Sequence, residues 1–166
     1  MKTLEIRGVR SGDLEASHAL EACCFPLGEA ASRANIAVRI ERFPEGFYVA
    51  EAGGVLIGHV NSGATDKDDI SDEAFKGLTG HQPDGRNIVV FSLAVDPRWR
   101  GKGLAVRLME RFMAESRHQG RARVLLLCME HLVGFYGRLG FADHGPSSST
   151  HGGVAWREMR LDLTAQ

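Results

Sequence analysis

Apolar and polar residues change period several times along this chain, and each change marks an element. Residues 3–7 (TLEIR) alternate, as a half-buried strand does. After Gly12-Asp13 the apolar residues of 14–25 fall at helical spacing, and Pro26 ends the run. Residues 32–43 repeat the helical period, with Ser32 placed to cap the start and Pro44 to close it. Residues 47–51 and 55–60 are short strands joined through Gly53-Gly54, a hairpin signal. The polar, acidic stretch 65–85 is expected to be a loop with one short helix at 72–78. Residues 88–95 form a strong strand. Residues 102–119 form a strong helix with Leu104, Leu108, Phe112 and Met113 on one face. Residues 124–128 are almost wholly apolar, which predicts a strand buried on both faces. A short helix at 132–139 stops at Gly140, and closing strands follow near Phe141 and at 156–163, around a Gly/Ser-rich loop.

The predicted order is β-α-α-β-β-β-α-β-α-β-β. Helices between strands require a partly parallel sheet, and the hairpins add antiparallel pairs. The expected fold class is mixed α/β, with helices on both faces of one sheet. With 166 residues, no linker and no repeat, a single domain over 1–166 is expected.

Composition narrows the function classes. Hydrophobic residues make up 43% and charged residues 25%, as in ordinary globular chains. No apolar run reaches the roughly eighteen residues that span a bilayer, and the first ten residues lack a signal-peptide apolar core. The expectation is therefore a cytoplasmic protein with no membrane partner. The three cysteines (Cys23, Cys24, Cys128) fit neither a disulfide framework nor a zinc site, so reduced thiols and no metal are expected. A net charge of −1 gives no general field for nucleic acid. Positive charge is instead local, mostly between Arg98 and Arg123, with no aromatic stacking platform beside it.

That local charge sits in FSLAVDPRWRGKGLAVRLMERF, residues 91–112, where a strand, a basic glycine turn and a helix follow one another. A helix begins with backbone N–H groups that have no partner inside the helix, and its dipole favours an anion there. Glycine lets such an anion approach the backbone. The GxxxxGK[ST] spacing is missing and GxGxxG is not completed, so neither nucleotide fingerprint applies. From the turn alone, a phosphate cradle and a solvated basic helix start are both open.

A second stretch, LVGFYGRLGF at 132–141, adds an aromatic helix with a glycine stop. Together the two stretches resemble the GNAT acyltransferase superfamily. Arg100, Gly103 and Ala105 match its Gln/Arg-x-x-Gly-x-Gly/Ala motif, and Phe135, Tyr136, Gly140 and Phe141 match its FYxxxGF. The LAV before the turn, and Cys128 eight residues ahead of Tyr136, are similar to the arylalkylamine N-acetyltransferase branch and its bacterial relatives.

The resemblance implies a GNAT-like, partly splayed mixed sheet of six to seven strands. It implies acetyl-CoA as the acyl donor and a small primary amine, aryl, alkyl or polyamine-like, as acceptor. Leu93, Ala94 and Val95 would offer backbone groups to the pantetheine arm. Arg100, Gly101, Lys102, Gly103, Leu104, Ala105 and Val106 would surround the pyrophosphate, and Tyr136 would protonate the departing thiol. Phe25, Pro26 and Leu27, with Glu29, correspond to the branch's acceptor loop. Dimers are common in the superfamily, so a homodimer is compatible. The branch carries two His on the strand before the turn; here Val89 and Phe91 stand there, and neither moves a proton. The base must lie elsewhere. Glu130 and His151 are the leading candidates, His59 and His131 further ones, each with a plain structural role as the alternative. An acceptor that is a protein lysine or N-terminus, or a CoA-binding module without turnover, are the competing readings.

Overall fold

A computed structural model describes residues 3–164. Seven strands and four α-helices follow in the expected order. They are β1 (Leu4–Gly8), α1 (Leu14–Cys24), α2 (Arg33–Arg42), β2 (Tyr48–Ala52), β3 (Val55–Thr65) and β4 (Asn87–Val95), then α3 (Leu104–His118), β5 (Arg123–Cys128), α4 (Val133–Arg138), β6 (Ala142–Pro146) and β7 (Arg157–Asp162). The hydrogen-bonded strand order is β1-β2-β3-β4-β5-β7-β6. Only the β4–β5 pair is parallel among the pairings of β1 with β2, β2 with β3, β4 with β5, and β7 with β5 and β6. The sheet is therefore mixed. The chain forms two compact units, one ending at Ser62 and resuming over Ser92–Phe112, the other made of Gly63–Phe91 and the chain from Met113.

In the first unit, Gly53 (φ 58°) and Gly54 (φ 81°) close the β2–β3 hairpin. Two successive positive φ values suit the twist of the flanking strands, and glycine adopts them without strain. The Ser32 hydroxyl accepts a hydrogen bond from the Asn35 amide at 3.1 Å and so starts α2. Ile36 and Ile40 of α2 then pack on Phe47 and Val49. On β3, consecutive residues face opposite ways. His59 meets Ser17 and Glu21 of α1, whereas a side chain at Gly58 would meet Leu104 and Leu108 of α3. Helices thus cover both faces. Leu108, Met109 and Phe112 of α3 are completely buried. Each such side chain contributes about 1.5–3 kcal/mol of apolar burial.

In the second unit, Ile70, Phe75, Val89 and Leu125 form a core cluster with Phe91 and Leu127 at its edge. The expectation for β5 holds: Val124, Leu125 and Leu126 are at most 1% exposed. Arg121 donates to the carbonyls of Pro83 (2.8 Å) and Gly85 (2.6 Å), fastening the loop between β3 and β4. Gly140, at φ 104°, ends α4 as expected.

Two expectations change. β3 does not stop at residue 60 but runs to Thr65. Its polar end is buried, with Asn61 Oδ1 accepting from Arg39, Ser62 donating to the Gly46 carbonyl and Thr65 donating to Gln82, while Asn61 Nδ2 is buried without a hydrogen-bond partner. The expected short helix at 72–78 is a 3-10 turn, Glu73–Gly77, capped by Asp72. Among the described residues no helix is long and apolar enough to cross a membrane, and no cluster of three metal-ligating side chains occurs.

Candidate active site

The parallel register of β4 with β5 ends at Val90↔Leu126. Beyond it β4 carries Leu93, Ala94 and Val95 and passes through a Pro97–Trp99 turn, with Asp96 accepting from the Arg98 amide. The chain then reaches Arg100-Gly101-Lys102-Gly103. Gly101 (φ 77°) and Gly103 (φ 78°) have left-handed backbones, and a Cβ at either would meet nothing within 4 Å. Among the described residues no acceptor engages the amides of Gly101, Lys102 or Gly103; the Arg107 amide, donating to the Gly103 carbonyl at 3.1 Å, begins the helical ladder. Lys102 is exposed, its ammonium 5.0 Å from the centre of the Trp99 ring. Open amides, room at two glycines, the head of a fifteen-residue helix and two cationic side chains fit a diphosphate-bearing group. Leu104 differs from its neighbours in the turn: it is 3% exposed and points into the core, so only its backbone is available.

The end of α1 joins this region. The Val95 carbonyl accepts both from the Cys24 thiol and from Arg100 Nε, each at 3.3 Å. The loop that follows α1 holds the expected acceptor residues. Phe25 and Glu29 are partly buried, Pro26 is exposed and Leu27 is fully exposed.

Deeper in the same unit lies a polar cluster. Glu21 (3% exposed), His59 (0%), Ser17 (0%) and Ser92 (6%) are bonded to one another. His59 Nε2 lies 2.8 Å from Glu21 Oε2, and His59 Nδ1 lies 2.5 Å from Ser17 Oγ. Ser92 donates to Glu21 Oε2 at 2.7 Å, and the Ala31 amide donates to Glu21 Oε1 at 3.2 Å. Burial pushes the Glu21 carboxyl upward, but the bonds from His59, Ser92 and Ala31 outweigh it and hold the group below the usual carboxylate range. The neighbouring Arg39 guanidinium is lowered to about 10 by burial, which the charge of Glu21 partly offsets. Glu21 and Ser17 were not among the residues singled out from the sequence. A signal existed: both fall on the stripe of α1 that carries Leu14, Leu20 and Cys24, and a carboxylate on a buried stripe needs partners.

The second unit holds the other expected residues. Tyr136 is 7% exposed, set edge-on between Phe135 (5.0 Å between ring centres) and Phe141 (5.7 Å). Burial, then Cys128 nearby, raises its hydroxyl well above the usual range, so it keeps its proton. Burial likewise takes the Cys128 thiol to about 11, which makes it a poor nucleophile. His151 Nδ1 is 2.5 Å from Glu73 Oε1, and the His151 carbonyl accepts from Trp156 Nε1 at 2.9 Å. Glu130 is exposed at the start of a 3-10 turn, within electrostatic reach of Arg157, and His131 beside it is exposed too. Val89 and Phe91 pack in the core cluster, with Phe91 edge-on to Phe75 at 5.2 Å.

An open mixed sheet whose middle strand runs into a glycine turn and then a helix defines an α/β protein. Comparison narrows the class. The Acetyltransferase (GNAT) family matches residues 14–141, and the chain belongs to that family. It is 31% identical over 118 residues to the probable hydrolase YhcX of Bacillus subtilis, a match covering 66% of this chain and 23% of that protein. It is 31% identical over 111 residues to serotonin N-acetyltransferase of Mesocricetus auratus, covering 66% of this chain and 52% of that enzyme. The matched region thus spans about half of the latter's length and under a quarter of the former's. In structure the chain is similar to the loading GNATL domain of CurA from Lyngbya majuscula, with a TM-score of 0.89, 16% identity and coverage of 99% and 100% of the two chains. That likeness establishes the fold.

Proposed function

We propose that the chain, acting as one acyltransferase domain, moves an acetyl group from acetyl-CoA to the nitrogen of a small primary amine. The observation that carries this reading is the turn at Gly101–Gly103, with its unoccupied amides and open glycines. Family membership and the likeness to serotonin N-acetyltransferase support the donor and the acceptor class.

When bound, acetyl-CoA supplies an acetyl group activated as a thioester. The turn and the Arg100 and Lys102 side chains would hold its diphosphate, and β4 beyond its pairing with β5, at Leu93–Val95, would align its arm. An N–H of that strand donates to the oxygen on which charge develops. The amine arrives as an ammonium ion. With a pKa near 10, about one molecule in a thousand is neutral at pH 7, a deficit of roughly 4 kcal/mol, so the protein must take a proton before nitrogen can attack. Phe25, Pro26, Leu27 and Glu29 line the approach. Tyr136, kept protonated by its apolar surroundings, gives a proton to the departing thiolate.

The test is a panel of aryl-, alkyl- and polyamines with acetyl-CoA, read by free thiol release and by mass of the product. N-acetylated product from at least one small amine is expected. Thiol release with no acetylated amine, or transfer only to peptide lysines or N-termini, overturns the acceptor class.

A further inference from the structure

The Glu21–His59 pair has no task in the reaction as written above, yet its place in the fold is costly. Two ionisable groups, 3% and 0% exposed, are stripped of water. Such a pair needs further hydrogen bonds to persist, and here Ser17, Ser92 and the Ala31 amide supply them. Phe47 stands edge-on to the His59 ring at 5.6 Å and closes one side.

From α1 come Glu21 itself and the partly buried Cys24 thiol. From α2 comes Arg39, which donates to Asn61 of β3 at 3.0 Å and interacts electrostatically with Glu21. From β4 comes the uncharged Ser92. The cluster thus contains a carboxylate and an imidazole, with the permanent cation Arg39 nearby. An imidazole flanked by a carboxylate can hold a proton as imidazolium, and Glu21 then neutralises it.

Its position gives direction. Ser92 is the most exposed of the four members, at 6%, and Leu93 follows it on β4. We propose that Ser92, Glu21 and His59 form a proton relay that opens at the Ser92 hydroxyl and ends on the His59 ring, replacing the histidines missing at positions 89 and 91. Its link to amine acetylation rests on the function proposed above. The step balances. The ammonium N–H bond breaks, and its proton passes to Ser92 Oγ as Ser92 releases its own proton to Glu21 and Glu21 passes one to His59 Nε2, the neutral ring carrying its resting proton on Nδ1 toward Ser17 Oγ. The freed lone pair forms the N–C bond, the C–S bond breaks, Tyr136 gives its proton to the sulfur, and the second N–H proton, lost as the nitrogen becomes an amide, restores the proton of Tyr136. The proton on His59 returns to solvent by the same path. Glu21 and His59 act here through Ser92, as relay and positioning residues.

Two measurements separate this relay from the broader function. The first needs no turnover: the His59 ring is followed by NMR in the folded protein from pH 5 to 9, in wild type, Glu21→Gln and Ser92→Ala. The relay requires the His59 signals to titrate while the fold is intact. It also requires the midpoint in Glu21→Gln to fall by about one pH unit or more, a tenfold loss of proton occupancy at a fixed pH well to the basic side of both midpoints. A ring that stays unchanged across that range in folded wild-type protein overturns the relay. The second is the pH dependence of kcat/KM with the amine found in the panel. Its acidic limb is expected to coincide with the wild-type titration and to move with it in Glu21→Gln, and Ser92→Ala is expected to lower kcat at least tenfold with KM nearly unchanged. An acidic limb that ignores Glu21→Gln overturns the relay, even with ample turnover. Titration of His59 without acetylation of any amine upholds the relay and removes the proposed acceptor.

Discussion

Tyr136 and Lys102 show how much one side chain is asked to do. The Tyr136 hydroxyl is held protonated by its apolar setting, so Tyr136→Phe removes a proton donor while leaving the ring stack with Phe135 and Phe141 intact. A drop in kcat of about 10²-fold or more is expected, with CoA affinity within twofold of wild type by calorimetry. An unchanged kcat would make the tyrosine a packing residue. Lys102 is exposed and sits over the Trp99 ring. Lys102→Glu puts a negative charge beside the open amides, so CoA binding should weaken about tenfold at low salt, less at high salt, with melting temperature unchanged. Equal affinity would leave the turn's backbone as the whole diphosphate site. At this scale the sequence was readable where residue type and local chemistry coincide, as in the Arg100–Gly103 turn. It was opaque for the pairing of Glu21 with Ser92. They are separated by 71 positions, and only tertiary packing shows that they share a hydrogen bond.

Elements obeyed local rules closely. Ser32 caps α2 and Gly53-Gly54 turns the hairpin, because caps and tight turns depend on residues a few positions apart. The polar end of β3 did not follow, since Asn61, Ser62 and Thr65 look like loop until Arg39, Gly46 and Gln82 are seen to bond them. Strand order was equally hidden: β7 enters between β5 and β6, a choice made by long-range pairing. The β3–β4 connection offers a sharp test. A Cβ at Gly85 would lie 2.7 Å from Thr65 Cα and closer still to its amide nitrogen, a clash with backbone that rotation of a side chain does not relieve. Gly85→Ala is expected to cost about 1–3 kcal/mol and lower the melting temperature by roughly 3–10 °C. A melting curve superimposable on wild type would mean that the loop shifts freely despite its Arg121 fastening.

For the molecule as a whole, stability against acid depends on how its carboxylates are held. Arg7 donates to both oxygens of Asp13 (2.8 and 3.0 Å) and to Glu51 (3.2 Å), joining β1, the start of α1 and β2. The bond from Arg7 holds the Asp13 carboxyl below its ordinary range, against a smaller upward push from burial. A depressed carboxylate contributes stability above its unfolded value, near 3.9, and that contribution is lost as pH falls through the folded value. Arg7→Met is therefore expected to destabilise by about 1–2 kcal/mol at pH 7, with the difference from wild type shrinking toward pH 2. Urea unfolding at both pH values measures it, and a gap of equal size at each would assign the loss to packing. The α/β class, the element order and helices on both faces were legible in the sequence, because periodicity and punctuation encode them. The two-unit partition was not, since it cuts β3 and β4 partway along their length.

Gly101 and Gly103 combine a left-handed backbone with empty space around them. An ordinary L residue there strains the chain by about 1–2 kcal/mol but collides with nothing. Random libraries filtered only for soluble folding would thus accept alanine or asparagine at both positions, and libraries filtered for catalysis would restore glycine. Tolerance at these two sites distinguishes selection on the ligand from selection on the fold.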